Sequence, residues 1–223
     1  MDFRHEWKHE INRADMLILR QRLSAVMQRD KHAVDGKYFI RSLYFDNAAD
    51  KALREKLDGV NNREKFRIRF YNHDPSLIHL EKKSKRNGLG SKDSANLTAA
   101  EAQSIVDGDW EWMKDADRPL VRELYAKMQS QGLRPKTIVD YTREPFIFGP
   151  GNVRVTLDYD IRTGLGSTDF LNPNCVTVPA GDNPIVLEVK WDEFLPSVIR
   201  DIVQLEGRRT SAFSKYAICR IYD

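Results

Sequence analysis

The sequence predicts an α+β fold in which about eight strands form an antiparallel sheet with helices packed outside it, a strand number able to close into a barrel. Three observations carry this. Strand candidates come in runs and do not alternate strictly with helices, which disfavours a doubly wound parallel sheet. Amphipathic helical segments at 12 to 30, 98 to 107, 119 to 131 and 196 to 206 can cover one face of the sheet. Finally, four stretches place charged residues on one strand face: Arg67 and Arg69 in KFRIRFY, Glu81 and Lys83 in HLEKKSK, Arg154 with Asp158 in VRVTLDY, and Glu188 and Lys190 in VLEVKWD. Successive side chains of a strand point to opposite faces, so Ile68, Val153, Val155, Leu157, Leu187 and Val189 share the other face.

In chain order, FRHEWKHEI reads as an opening strand. INRADMLILRQRLSAVMQRD follows as a helix capped by Asn12, with Ile18, Leu19, Leu23 and Val26 as its apolar face. GKYFIRSLYFD, rich in aromatic and branched residues, is a strand closed by the turn-prone Asp46-Asn47, and NAADKALREKL suits a short helix. REKFRIRFYN and LIHLEKKSKR make a hairpin about His73-Asp74-Pro75, and RNGLGSKDS reads as a turn-rich loop. LTAAEAQSIVDG ends at Gly108, and PLVRELYAKMQSQG runs from Pro119 to Gly132 with proline first and glycine last. PKTIVDYTREPFIF, NVRVTLDYDIR and PIVLEVKWD are three further strands, the first two joined by a hairpin turn at GPGN. LPSVIRDIVQLEG is a helix ending near Gly207, and SKYAICRIYD is a last strand.

Composition bounds the function. The 223 residues with 41% hydrophobic content suit one domain, 1–223, with a sizeable core. Thirty-six basic against 33 acidic residues leave a net charge of +3, so bulk affinity for nucleic acid is not expected and any anion site must be local. Cys175 and Cys219 form no CxxC pair, which fits a reducing compartment. MDFRHEWKHE lacks the apolar core of a signal peptide, and no run of about 18 apolar residues is present to span a bilayer, so the expectation is a cytoplasmic protein without direct membrane insertion.

A charge pair on a single strand ordinarily marks a solvated face. Its repetition over four strands, with helices available to cover the apolar side, points to charged stripes lining the inside of the sheet. Such a lumen has to hold water, ions or ligand, because an ordinary barrel fills its interior with Val, Ile and Leu.

The ordered series Glu6-x-Lys8, SLYFD at 42 to 46, Arg67-x-Arg69, Glu81-x-Lys83, Lys92, Tyr141-x-Arg143, RVTLD at 154 to 158, LEVK at 187 to 190 and FSKY at 213 to 216 resembles the polyphosphate polymerase domain of the vacuolar transporter chaperone complex. That family lies within the triphosphate tunnel metalloenzymes, also termed CYTH-like. The resemblance spans nearly the whole chain and implies a closed eight-stranded antiparallel β-tunnel with helices around it. It implies that Lys8, Arg67, Arg69, Lys83, Lys92, Tyr141, Arg143, Arg154, Lys190, Ser214 and Lys215 bind phosphate, with Arg67, Arg69, Lys83, Arg143 and Lys215 carrying the chemistry. Arginine suits this work because its planar fork donates two hydrogen bonds to one phosphate and stays ionised. Glu6, Glu81 and Asp158 would balance part of the charge. Glu188, with Glu6, matches the metal site for Mn²⁺ or Mg²⁺.

The implied reaction is phosphoryl transfer from ATP to a growing polyphosphate chain. Attack by water would make the same site a triphosphatase, and a tunnel without turnover would be a polyphosphate-binding module. Translocation of product across a membrane would call for a membrane-protein partner. One departure stands out: where eukaryotic members of the family have a basic residue before Phe-Ser-Lys, this chain has Ala212, with Arg208 and Arg209 upstream as substitutes.

His5-Glu6-Trp7-Lys8-His9 is a literal HExxH. On a helix it would place two histidines on one face for zinc, but its expected setting is a strand and no third ligand is evident. Neither cysteine has the setting of a nucleophile, Cys219 falling in the expected last strand.

Overall fold

The computed structural model describes residues 4–205 and 212–221. Among these residues ten strands form a single antiparallel sheet. Its long strands are β1 (His5–Ile11), β3 (Tyr38–Asp46), β4 (Arg63–Tyr71), β5 (Asp74–Arg86), β6 (Leu89–Leu97), β7 (Arg134–Phe148), β8 (Val153–Thr163) and β10 (Ile185–Trp191), in the spatial order β1-β10-β8-β7-β3-β4-β5-β6. The two-residue strands β2 (Gln28–Arg29) and β9 (Val178–Pro179) add to β7 and β8. Six α-helices among the described residues accompany the sheet: α1 (Arg13–Val26), α2 (Lys51–Leu57), α3 (Ala99–Asp107), α4 (Pro119–Gln131), α5 (Ser197–Val203) and α6 (Lys215–Cys219).

The sheet curls into a half-barrel that remains open, in place of the closed tunnel expected. Its outermost strands, β1 and β6, are not joined by a ladder, and among the described residues the backbone meets across this gap at one bridge, Arg4 with Gly90. Which face lies inside follows from contacts between strands far apart in the order. Lys83 of β5 reaches Glu6 of β1 at 3.2 Å, and Arg69 of β4 reaches the hydroxyl of Tyr141 on β7 at 2.9 Å. Only a sheet curled around that face brings such strands together.

The outer face is apolar and covered. Leu43, Phe66, Ile68, Phe70 and Leu80 pack beneath Ile105 of α3 and Val121, Leu124 and Met128 of α4. Val155, Leu157, Leu187 and Val189 pack beneath Leu19 and Leu23 of α1 and Ile199 of α5. Each fully buried large side chain is worth about 1.5–3 kcal/mol, so these two layers dominate stability. A third cluster fills part of the concave side, where Tyr216 and Cys219 of α6 meet Ile40, Tyr44, Tyr141 and Ile161.

Local signals explain most elements. Asn12 and Thr98 each form a capping box with Asp15 and Glu101, Pro119 opens α4, and Gly108 and Gly132 close α3 and α4 in left-handed conformation. The GPGN turn holds Gly151 at φ 71, where an added Cβ would lie 2.4 Å from the carbonyl oxygen of Phe194.

Three readings need correction. The segment expected as a loop after Arg86 is strand β6, because Asn87-Gly88, both at positive φ, make a two-residue hairpin turn that returns the chain along β5 from Arg86 opposite Leu89 to Ile78 opposite Leu97. The expected last strand is instead α6, with Ser214 as its cap and Tyr216 and Cys219, three apart, facing the sheet. Cys219 therefore lies in a helix. On α1 the buried stripe is Met16, Leu19 and Leu23, whereas Ile18 is 44% and Val26 38% exposed, each rotated off that stripe. The end of the 195–207 segment at Gly207, and Arg208 and Arg209, lie outside the described residues.

Candidate phosphate-binding cavity

The concave face carries the charges that alternate with the core residues. Arg67 donates from Nε to Glu81 at 2.8 Å and from Nη1 to the Tyr44 hydroxyl at 2.7 Å, while Lys92 reaches the other Glu81 oxygen at 3.2 Å. Arg69 donates to Ser42 at 3.1 Å and to Tyr141. Arg143 grips Asp158 with two bonds of 2.7 Å, and Lys215 approaches the same carboxylate at 2.5 Å while lying 4.8 Å from the centre of the Tyr141 ring. Glu188 lies 2.5 Å from Lys190, 3.7 Å from Arg143 and 4.0 Å from Lys8. Glu6 lies 3.2 Å from Lys83, 3.5 Å from Lys8 and 3.6 Å from Lys190.

Of the residues singled out from sequence, Lys8, Arg67, Arg69, Lys83, Lys92, Tyr141, Arg143, Lys190, Lys215, Glu6 and Glu188 thus fall in one connected network. Two do not join it. Arg154, on the same face of β8, points to Asp30 at 3.4 Å and is 37% exposed at the rim. Ser214 spends its hydroxyl as the N-cap of α6, accepting from the amide of Ala217 at 3.3 Å.

Three groups were missed. Lys65 continues the Arg67, Arg69 alternation two residues earlier and lies 5.3 Å from the Tyr44 ring centre, so extending the period-two stripe would have found it. Lys56 sits on helix α2, where strand alternation has no meaning, and its ammonium bonds to the carbonyl of Ala212. A cation therefore reaches the position where the side chain of Ala212 supplies none. Tyr44 reads in sequence as one more aromatic strand residue, and only the fold places its hydroxyl on Arg67.

Counting these, ten cationic side chains (Lys8, Lys56, Lys65, Arg67, Arg69, Lys83, Lys92, Arg143, Lys190 and Lys215) share the cavity with the carboxylates of Glu6, Glu81, Asp158 and Glu188. The excess of positive charge shows in the titrations. Burial, with Lys8 and Lys190 alongside, holds the Lys83 ammonium well below its ordinary range, and burial brings Lys65 down to about 8. Burial would raise the carboxyls of Glu81, Asp158 and Glu188, but Arg67 and Arg69, Arg143 and Lys215, and Lys190 and Lys8 respectively outweigh it and keep all three below the usual carboxylate range. Such a surface favours a ligand with several negative charges and many acceptor oxygens.

The metal site can be tested on the donors present. Lys190 contacts both Glu188 and Glu6, so the two carboxylates border one space, yet among the described residues no group of three His, Cys, Asp or Glu side chains could hold an ion. These donors fit a hard divalent ion completed by phosphate oxygens and water, the usual habit of Mg²⁺, and not a cage built from protein alone. The HExxH segment lies in strand β1, where His5 stacks on Trp191 at 5.3 Å on the outer face, so the helical setting of a zinc site is missing. Cys175 and Cys219 form no disulfide. No helix among the described residues is long and apolar enough to cross a membrane.

Comparison with solved structures places the fold. A putative adenylate cyclase from Bacillus halodurans superposes with a TM-score of 0.52 at 12% identity, over 85% of this chain and 80% of that one. The PH1819 protein of Pyrococcus horikoshii OT3 superposes with a TM-score of 0.51 at 11% identity, over 98% of each chain. No match was found among curated proteins. The VTC domain family, in contrast, matches residues 3–221, the whole span that builds the curled sheet, its covering helices and the basic cavity, and the chain accordingly belongs to the VTC domain family.

Proposed function

We propose that this protein transfers the terminal phosphoryl group of a nucleoside triphosphate, most simply ATP, onto the end of a polyphosphate chain held in the concave cavity, with the half-barrel closing into a tunnel around it. The observation that carries this reading is the connected network of Arg67, Arg69, Lys83, Arg143, Lys190, Lys215 and Lys8 on the concave face, in which Lys190, Arg143 and Lys8 surround a buried Glu188. Membership of the VTC domain family supports it.

In this reading Arg67 and Arg69, anchored by Glu81, Ser42 and Tyr141, grip non-bridging oxygens of the bound chain as fixed forks. Arg143 and Lys215, both held by Asp158, face the transferring group and stabilise the charge that spreads over its equatorial oxygens. Lys8, Lys83, Lys92 and Lys190 serve as adaptable point charges along the chain, Tyr141 adds a hydroxyl, and Arg154 and Ser214 extend the path at the rim and beside α6. Glu188 and Glu6 would hold Mn²⁺ or Mg²⁺ against the phosphates, which when bound neutralises charge on the reacting groups. An oxygen at the chain end attacks the γ-phosphorus in line, its bond to the β-bridging oxygen breaks, and the nucleoside diphosphate leaves. The reaction belongs in the cytoplasm, where ATP is available, and export of the product falls to a membrane-protein partner.

Incubation of the pure protein with ATP and Mn²⁺, followed by gel separation, tests the reading. A ladder of chain lengths supports it. Nucleoside diphosphate with free phosphate alone replaces it by triphosphate hydrolysis, and unchanged ATP leaves a binding module.

A further inference from the structure

Tyr44 is buried, with 2% of its surface exposed, at the junction of the basic cavity and helix α6. Its hydroxyl oxygen accepts from Nη1 of Arg67 at 2.7 Å, while the other Arg67 nitrogens engage Glu81. Among the described residues no acceptor receives the proton of that hydroxyl. A buried donor left without an acceptor is unfavourable, and a phenolate has no such donor.

The surroundings favour the same state. From β4, Arg67 and Lys65 lie 5.6 and 5.3 Å from the ring centre and Arg69 adds a third positive charge; from β1, Lys8 adds a fourth. Helix α6 contributes Tyr216, stacked at 4.9 Å, whose hydroxyl is committed to Asp46. β7 offers the uncharged Thr137 opposite, and α2 the apolar Leu53. Among the described residues no carboxylate bonds the Tyr44 oxygen. Burial by itself raises the phenol, but Arg67, Lys65 and Arg69 outweigh it and bring it to about 7.

We propose that Tyr44 is an internal counter-anion of the cavity, its phenolate holding Arg67 and Lys65 when no ligand is bound and taking up a proton from solvent when a phosphate oxygen replaces it. The exchange rests on the phosphate reading of the cavity; the ionisation of Tyr44 in the free protein does not. The device would keep two cations poised during the absence of ligand and couple ligand binding to proton uptake. The protonated hydroxyl then becomes a donor to the bound phosphate.

The near-ultraviolet tyrosinate band tests this directly. At about pH 7.5, below the value of about 8 to which Lys65 is brought, an ordinary phenol with a value of about 10 is protonated, so the eight tyrosines of the chain should show most of one equivalent of tyrosinate. Tyr44→Phe, which keeps the stacked ring, should remove that band. Tyr71→Phe should retain it, although Tyr71 too is drawn below its ordinary value, burial being outweighed there by Arg69. Lys65→Met, with Tyr44 intact, should move the midpoint upward and serves if Tyr44→Phe fails to fold. Saturation with sodium tripolyphosphate at the same pH should reduce the wild-type band at least tenfold. A wild-type protein without tyrosinate at this pH overturns the proposal, as does a band that survives tripolyphosphate binding demonstrated by calorimetry. If calorimetry finds no binding, the phosphate reading of the cavity falls and takes the exchange with it.

Discussion

At the level of single residues, the cavity is a set of buried charges that need one another. Glu188 is surrounded by Lys190, Arg143 and Lys8, so its removal makes the cavity more positive and should not weaken anion binding. Glu188→Ala is accordingly expected to lower ATP turnover with Mn²⁺ at least a hundredfold while tripolyphosphate binding, followed by calorimetry, is retained; unchanged turnover would remove Glu188 from the reaction. Asp158 is fully buried between Arg143 and Lys215, and losing its charge strands both. Asp158→Asn should therefore cost about 3–5 kcal/mol in urea unfolding at pH 7. The sign of its pH dependence follows from its lowered carboxyl: the stability it contributes is present above the unfolded value of about 3.9 and is lost as pH falls through the folded value. The gap between wild type and Asp158→Asn should narrow steadily on going from pH 4 towards pH 2, and a gap independent of pH in that range would show that the carboxylate's charge is not what matters.

At the level of elements, the five-residue helix α6 concentrates an unusual share of the site. It carries Lys215 to Asp158 and Tyr216 to Asp46, while Asp46 also accepts from the amides of Ala52 and Leu53 and so ties α6 to the start of α2. Ser214 separates capping from ligand binding by experiment. As a cap, Ser214→Ala should cost about 1 kcal/mol and Ser214→Gly only a few tenths, whereas a lost phosphate contact would weaken tripolyphosphate binding equally in both. The strands that sequence reveals are those with an apolar outer face and a charged inner one, such as β4, β8 and β10, since period-two alternation is the direct signature of a sheet covered on one side. Edge strand β6 is polar along most of its length and hid behind its glycines and serines. Helix α6 is too short for periodicity to separate it from a strand. The same logic divides the site: residues on alternating strands were readable, while Lys56 on a helix and Tyr44 among aromatics needed tertiary neighbours to acquire meaning.

For the molecule as a whole, a cavity with excess positive charge predicts stabilisation by its ligand. Tripolyphosphate at a hundred times its Kd should add about 2.7 kcal/mol, which for a chain of this size raises Tm by about 5–10 °C. Added sodium chloride should reduce the shift, because the attraction is screened. No shift at low salt would argue that the cavity does not bind phosphate chains. The open side of the half-barrel has a further consequence for how the protein moves. Along that side the amides of β1 and β6 that point away from their single partner strands lack the ladder that secures every interior strand, with Arg4 to Gly90 as the backbone bridge and Lys83 to Glu6 as a side-chain latch. Amide hydrogen exchange should therefore begin at these two margins and reach β3, β7 and β8 last. Raising the ionic strength should hasten exchange at these margins first, because among the described residues the side-chain contact that spans the seam, Lys83 to Glu6, is an ion pair that salt screens, so that the open side of the molecule loosens like an unbuttoned edge while the interior strands hold.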